Sequence, residues 1–360
     1  MPGDQASNDR ISGLDLLRVI LSFWVVAIHV MHYGGLQAYS DPSSAGFYLL
    51  WFLAISMHSV INCFALVSGF VLYDQTPKYT RILRLLFTVA YHGIVITLLF
   101  RLFYPEAVTQ RHWLWAFFPV AQEEFWYFSS YFGAFFFVPV LIRGIRSLPK
   151  RQAGLLVICS LIIFSFIPTF TARDPFDLDG GNSVLWLLIL FVAGAFLKKY
   201  FHTFKLKKRV LLAIFAGSVL LTCIGMAIGE LFPEFDSLAL VDHTSPTLVL
   251  GGIAVVLLFA SIQVPAFAGK IVKYCAPFTF SIYLIHEHPL VRQYFVKNQF
   301  IHVVSLPAVM QVVAVFLIAA CIWLICFGLD FIRRYIFRLL RINQLLEKLE
   351  TKLLAWHADA

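Results

Sequence analysis

Arg18 and His29 stand at the two ends of RVILSFWVVAIH, and of the residues between them only Ser22 is polar. Eleven helical steps of roughly 100° return to nearly the same face, and at 1.5 Å per residue they climb about 16 Å. A guanidinium and an imidazole therefore look the same way from two depths of one apolar helix. The first can hold an anion such as a phosphate, and the second can take a proton from a hydroxyl. Other ionisable groups join them. Arg81 and Arg84 are spaced i, i+3, which suits one phosphate better than two scattered charges would. YLIHEHP carries His286, Glu287 and His288, and EEFWY carries Glu123, Glu124, Trp126 and Tyr127. Consecutive side chains on a helix diverge, so His286, Glu287 and His288 cannot all face one cavity. That leaves His286 or Glu287 to point inward and His288 for the outer interface. His58 and His92 read as packing donors between helices.

These groups need a scaffold, and the composition says which. Of 360 residues, 60% are hydrophobic and only 13% charged, with a mean hydropathy of +0.81. A soluble domain of this length cannot bury so much apolar side chain, so the fold class is an all-α polytopic membrane protein. About ten transmembrane helices are expected, near 14–33, 48–73, 81–104, 125–146, 154–171, 183–198, 209–229, 246–264, 272–293 and 306–331. An even number puts both termini on one side. That side then collects most of the lysines and arginines, leaving Arg101, Arg111, Arg173, Arg292 and Lys297 on the other. The positive-inside rule assigns both termini to the cytoplasm and the protein to the cell membrane. The net charge of +8 is thus a membrane-orientation signal, and no nucleic-acid partner is expected. The cysteines fall in apolar runs without metal-ligand spacing, so neither disulfides nor a metal is expected.

Three regions follow: a cytoplasmic segment at 1–13, a membrane domain at 14–331 and a basic tail at 332–360. The tail has apolar residues at helical spacing, as in a C-terminal amphipathic helix along the lipid surface or an equally plausible cytoplasmic packing helix. RHWLWAFFPV at 111–120 is too short to span and reads as a Trp-rich surface or re-entrant helix. In this orientation Arg18, Arg81 and Arg84 lie at an inner mouth, whereas His29, His286, Glu287 and the 123–127 cluster lie in the outer half. Intramembrane ionisable groups are expensive enough to mark function. Their arrangement suits a route for an acidic donor from one side and a hydroxyl acceptor from the other.

Five stretches resemble the membrane acyltransferases of the acyltransferase 3 family, in the family's order. GLDLLRVILSFWVVAIH is similar to its first span and INCFALVSGFVLY to its second, which ends in Ser68, Gly69 and an aromatic residue. FWYFSSYFGAFFFVPVL resembles its fourth span, LDGGNSVLWLLILFVAGAFLKKY its Gly-rich loop and following span, and SIYLIHEHPLVR the form seen in Gram-positive polysaccharide-modifying members. The resemblance implies an acetyl-CoA-dependent O-acyltransferase acting on a sugar hydroxyl of a polysaccharide or lipid-linked glycan outside the cytoplasm. It further implies that Arg18, Arg81, Arg84 and Ser68 serve the donor, with His29 as general base or acyl carrier. His286 and Glu287 would support His29, and Glu123, Glu124, Trp126 and Tyr127 would meet the acceptor. Many relatives have histidine or tyrosine where this chain reads EEFW, which leaves the choice between Glu123 and Glu124 open. Some relatives append a hydrolase-like domain that completes the transfer; no such domain is expected in these 360 residues, so transfer would be direct or through a separate partner.

A glycan or small-molecule transporter or flippase is the competing reading, since polar groups at two depths also suit transport. The sequence has neither an inverted repeat nor matched pairs of broken helices, which disfavours it. The orientation is testable by labelling from outside intact cells. A cysteine introduced at Asp236 should react with an impermeant reagent and one at Lys207 should not; the opposite pattern inverts the assignment.

Overall fold

The computed structural model describes residues 11–75, 78–121, 124–204, 206–232 and 238–358, so Glu123, Asp236 and most of the expected 1–13 segment lie outside the described residues. Among the described residues every regular element is helical. The principal helices are α1 (Ser12–His32), α2 (Ala45–Met57), α3 (Val60–Leu72), α4 (Tyr79–Phe103), α5 (Gln110–Phe117), α6 (Trp126–Phe135), α7 (Val138–Ser147) and α8 (Lys150–Leu161). They continue with α9 (Val184–Tyr200), α10 (Lys208–Leu231), α11 (Pro246–Ala260), α12 (Ala266–Cys275), α13 (Thr279–His286), α14 (Ala308–Leu339) and α15 (Ile342–Ala358).

Among the described residues, seven helical segments are long and apolar enough to cross a bilayer, and the bent pair α6–α7 makes an eighth. The chain is an all-α polytopic membrane protein. The expected ten spans divide differently in three places, each for a backbone reason. Pro139, in the first turn of α7, brings no N–H to a continuous ladder, and the pair bends by 58° there. The span expected at 246–264 is the 15-residue α11, begun by Pro246. The segment expected at 272–293 is built from pieces, α12 and α13, around Pro277, and α13 stops at His286 ahead of Pro289. Non-helical backbone at membrane depth survives only where it lines a cavity or is covered by protein. Its position is therefore the first structural pointer to the site.

Helix α1 is the hub. Leu14, Leu17 and Leu21 pack into one apolar core with α3, α9 and α11, while Val26, Ala27, Val30 and Met31 enter a second with α2, α13 and α14. Small residues set how closely these helices approach. A Cβ on Gly69 of α3 would strike the Phe191 carbonyl oxygen of α9, and one on Gly194 of α9 would strike that of Leu66. This reciprocal small-residue crossing is the form helix packing takes where lipid supplies no hydrophobic drive.

The remaining expectations can be placed. The 111–120 segment forms α5, whose N-terminus is closed by Thr109 and His112, and packs on α4 with Ala116 against Gly93. His92 does serve packing: its Nε2 lies 3.3 Å from Oδ1 of the buried Asp330 on α14. Arg333 and Arg334 bond the same carboxylate at 2.6–3.0 Å, so the buried charge is paired. Helix α14 runs through the expected boundary at 331, and α15 follows it. Leu346 of α15 is buried, and the Thr80 amide N–H donates to Glu350 Oε1 at 3.4 Å, which docks the tail helix on α4.

The close crossing generates a stability prediction. Gly69→Ala and Gly194→Ala should each lower the thermal midpoint in detergent, by a loss of roughly 1–3 kcal/mol. Gly217→Ala, where nothing lies within 4 Å of the added carbon, should not lower it.

Candidate active site

One face of α1 presents Arg18, Ser22, Val25, His29 and His32 in turn, and all of them line a single cavity of about 580 Å³. Opposite them stand Phe64 and Ser68 of α3, Arg81 of α4, Trp126 and Tyr127 of α6, and Tyr283 and Glu287 at the end of α13. The cavity thus joins a basic end, with Arg18 and Arg81, to a histidine end, through a middle walled by Val25, Ile28, Ile61 and Phe64.

Most of the expected site residues meet here. Arg18 Nη1 bonds Asp15 Oδ1 at 3.0 Å, which steers the guanidinium without covering it. Ser68 lines the wall while its hydroxyl donates to the Phe64 carbonyl at 2.9 Å. Arg84 is separated from the others: three residues past Arg81 its side chain is rotated by about 60°, and it is exposed and off the cavity wall. Glu124 also lies behind the wall, held by Arg292. His288 is buried rather than at an interface, facing a small second pocket beside Gly93 and His112.

The chemistry concentrates around His29. Its Nδ1 lies 2.9 Å from His286 Nε2 and 2.8 Å from Glu287 Oε1. The protons on these rings can be assigned from their partners. His286 Nδ1 is 2.6 Å from the Ile282 carbonyl oxygen, and a carbonyl only accepts, so this nitrogen carries the proton. Neutral His286 then offers Nε2 as an acceptor, and His29 must supply the proton from Nδ1. The consequence is a lone pair on His29 Nε2, which has no hydrogen-bond partner among the described residues. A base with its lone pair free is thereby set by a backbone carbonyl two links away.

Glu287 completes the arrangement. As His29 Nε2 takes a proton the ring becomes cationic, and Glu287 Oε1 is already beside Nδ1 to stabilise it. Glu287 Oε2 is held by Arg292 Nη1 at 3.2 Å, and Arg292 Nη2 holds Glu124 Oε2 at 3.0 Å. The guanidinium also lies over the Tyr33 ring, 5.1 Å from its centroid. By sequence Arg292 counts only as one of the few positive charges on the outer side. Its signal was there: it breaks the positive-inside pattern, and it follows IHEHP within one short segment. His58, expected only as a packing donor, also lines the cavity.

His29, His286 and Glu287 also offer ligand atoms within 4.8 Å of one another, a donor set that zinc accepts. A tetrahedral ion with bonds of 2.0–2.1 Å holds its ligand atoms about 3.3 Å apart. The 2.8 and 2.9 Å separations at His29 are hydrogen-bond lengths. The geometry fits a proton relay better than a metal centre.

Comparison with protein families adds the decisive observation: residues 11–328 match the acyltransferase domain of the acyltransferase 3 family. The chain belongs to that family. Comparisons with curated proteins and with solved structures found no match. The match runs from the start of α1 into α14, so it takes in Arg18, Arg81, His29, His286, Glu287 and Arg292 together. This acyltransferase 3 protein is a membrane acyltransferase that transfers groups other than aminoacyl groups.

Arg292 supplies the prediction. Arg292→Gln leaves two acidic side chains without their shared cation, and each charge-assisted bond is worth about 1.5–3 kcal/mol. Acyl transfer should fall roughly ten- to hundredfold with donor affinity retained, measured on purified protein. Arg292→Lys, which keeps the charge but not the fork, should be intermediate.

Proposed function

We propose that the protein moves an acetyl group from cytoplasmic acetyl-CoA to a hydroxyl of a cell-surface or exported polysaccharide, as the Gram-positive polysaccharide-modifying members do. The observation that carries this reading is the continuity of one cavity from Arg18 and Arg81 to His29 and Glu287. Donor and acceptor can then approach the reacting atoms from opposite ends. In this reading the termini and the basic end are cytoplasmic, in the cell membrane, and the histidine end opens outward.

At the basic end Arg18 and Arg81 pair with donor phosphates, and the exposed Arg84 adds charge at the mouth. The apolar middle admits the uncharged pantetheine arm and excludes competing water. Ser68, on the wall near these arginines, faces the arm. The thioester then lies against His29. An acceptor hydroxyl gives its proton to His29 Nε2 while its oxygen attacks the acyl carbon. The new C–O bond forms, the C–S bond breaks, and the proton passes from His29 to the leaving sulfur. Glu287, held by Arg292, stabilises the transient imidazolium, and His286 keeps Nδ1 as the donor. Trp126 and Tyr127 line the acceptor approach, and Glu124 acts through Arg292. The free Nε2 lone pair serves direct transfer through a base; a two-step route would use the same atom as nucleophile.

The test is His29 itself. His29→Ala should abolish polysaccharide acetylation yet bind acetyl-CoA, because the arginines lie far along the cavity. His29→Gln keeps hydrogen bonding without useful basicity and should be nearly as inactive. Substantial turnover by the Gln variant removes His29 as the base, and a His29-dependent acetyl adduct in intact-protein mass analysis replaces direct transfer with a two-step route.

A further inference from the structure

The histidine end of the cavity contains a second constructed feature that the proton relay does not use. His243 comes from the loop before α11, and its ring is stacked on His58 and near-parallel to Trp126. The centroids are 4.8 and 6.4 Å away, with interplanar angles of 20° and 21°. All three rings line the cavity. Stacking on His58 occupies ring surface, which favours the edge of His243 for a ligand.

Several contacts fix that edge. The fully buried Asn62 donates from Nδ2 to the His243 carbonyl at 2.8 Å and accepts from Trp186 Nε1 at 3.1 Å. Gly181, at φ +106°, lies so close that a Cβ there would sit 2.7 Å from His243 Cβ. Only glycine combines that backbone conformation with that approach. The GG of the LDGGN loop thus acquires a physical task, seating His243 in the cavity. Trp51 stands seven residues before His58, nearly the same face of α2 two turns away, and it too lines the cavity.

Both side chains carry an unspent polar atom. Among the described residues, His243 Nδ1 and Trp51 Nε1 are buried without a hydrogen-bond partner. Leaving such atoms unpaired is costly, and two of them on cavity residues that the relay does not use point to a ligand. Trp51 can only donate, so its partner must offer an oxygen. A hydroxyl satisfies His243 Nδ1 in either tautomer, because it both donates and accepts. A ligand bearing several hydroxyls meets both demands; a lipid acyl chain meets neither.

We infer that Trp51 and His243 form the acceptor subsite, binding one sugar ring of the polysaccharide through hydroxyls other than the one acylated at His29. This rests on the reading of the cavity as an acetyl-CoA-to-glycan transferase site. The test uses purified full-length protein, acetyl-CoA, and surface polysaccharide of the producing cells freed of its esters by mild base. Trp51→Phe removes only the N–H, His243→Leu removes the ring nitrogens, and His243→Asn keeps a polar atom near Nδ1. The first two should each raise the polysaccharide KM about tenfold, the loss of one buried hydrogen bond. The KM for acetyl-CoA should stay within twofold, and His243→Asn should recover most of the acceptor KM. Unchanged polysaccharide KM in both Trp51→Phe and His243→Leu overturns the subsite. So does a parallel rise in both KM values that His243→Asn fails to relieve, which is the mark of a merely structural role. Wild-type protein that binds acetyl-CoA but transfers nothing to the polysaccharide overturns the underlying transferase reading instead.

Discussion

The histidine end of this protein depends on a single backbone acceptor. The Ile282 carbonyl takes the Nδ1 proton of His286, and that bond dictates every proton position up to the free lone pair of His29. Because the donor and acceptor lie four residues apart within α13, the tautomer is set by local helix geometry rather than by a flexible side chain. Helix α13 can do this only because it ends at His286, where Pro289 prevents its continuation and Glu287 turns toward His29. A continuous span here would have carried the three polar residues onto three different faces without a shared centre.

A membrane acyltransferase must keep a polar passage open through a structure whose stability comes from close packing. The chain separates these demands by helix face. Gly69 packs backbone to backbone on α9 while Ser68, its neighbour, faces the cavity. Charges needed for architecture are paired away from the passage: Asp330 with Arg333, Arg334 and His92 is one such group. Arg18, on the cavity wall, is steered by Asp15 without being enclosed.

Much of this was legible in the sequence. Composition and charge distribution specified a polytopic helical membrane protein, and helical periodicity put Arg18 and His29 on one face. Consecutive side chains do diverge here: Glu287 lines the cavity, whereas His288 faces the second pocket and not the outer interface expected for it. What sequence could not supply was the angle between segments distant in the chain. Arg81 and Arg84 look equivalent as a spacing, yet their rotation about α4 puts only Arg81 on the wall. Arg292 looks like a charge at the outer end of a span until α13 stops short and brings it against Glu287. His243 and Trp51 carry no local pattern; they share a cavity only because the loop before α11 folds against α2. Hydropathy windows are blind for a related reason to the breaks at Pro139 and Pro277.

The central claim is that one passage carries the acyl group across the membrane while the rest of its donor stays behind. Sealed proteoliposomes of uniform orientation test this directly, with acetyl-CoA labelled in both the acetyl group and the nucleotide supplied only at the basic face and glycan enclosed at the other. The acetyl label should appear on enclosed glycan, and all the nucleotide label, as free CoA thiol, should remain outside. Nucleotide label inside the vesicles, or glycan acetylated only when it shares the donor's compartment, would contradict it.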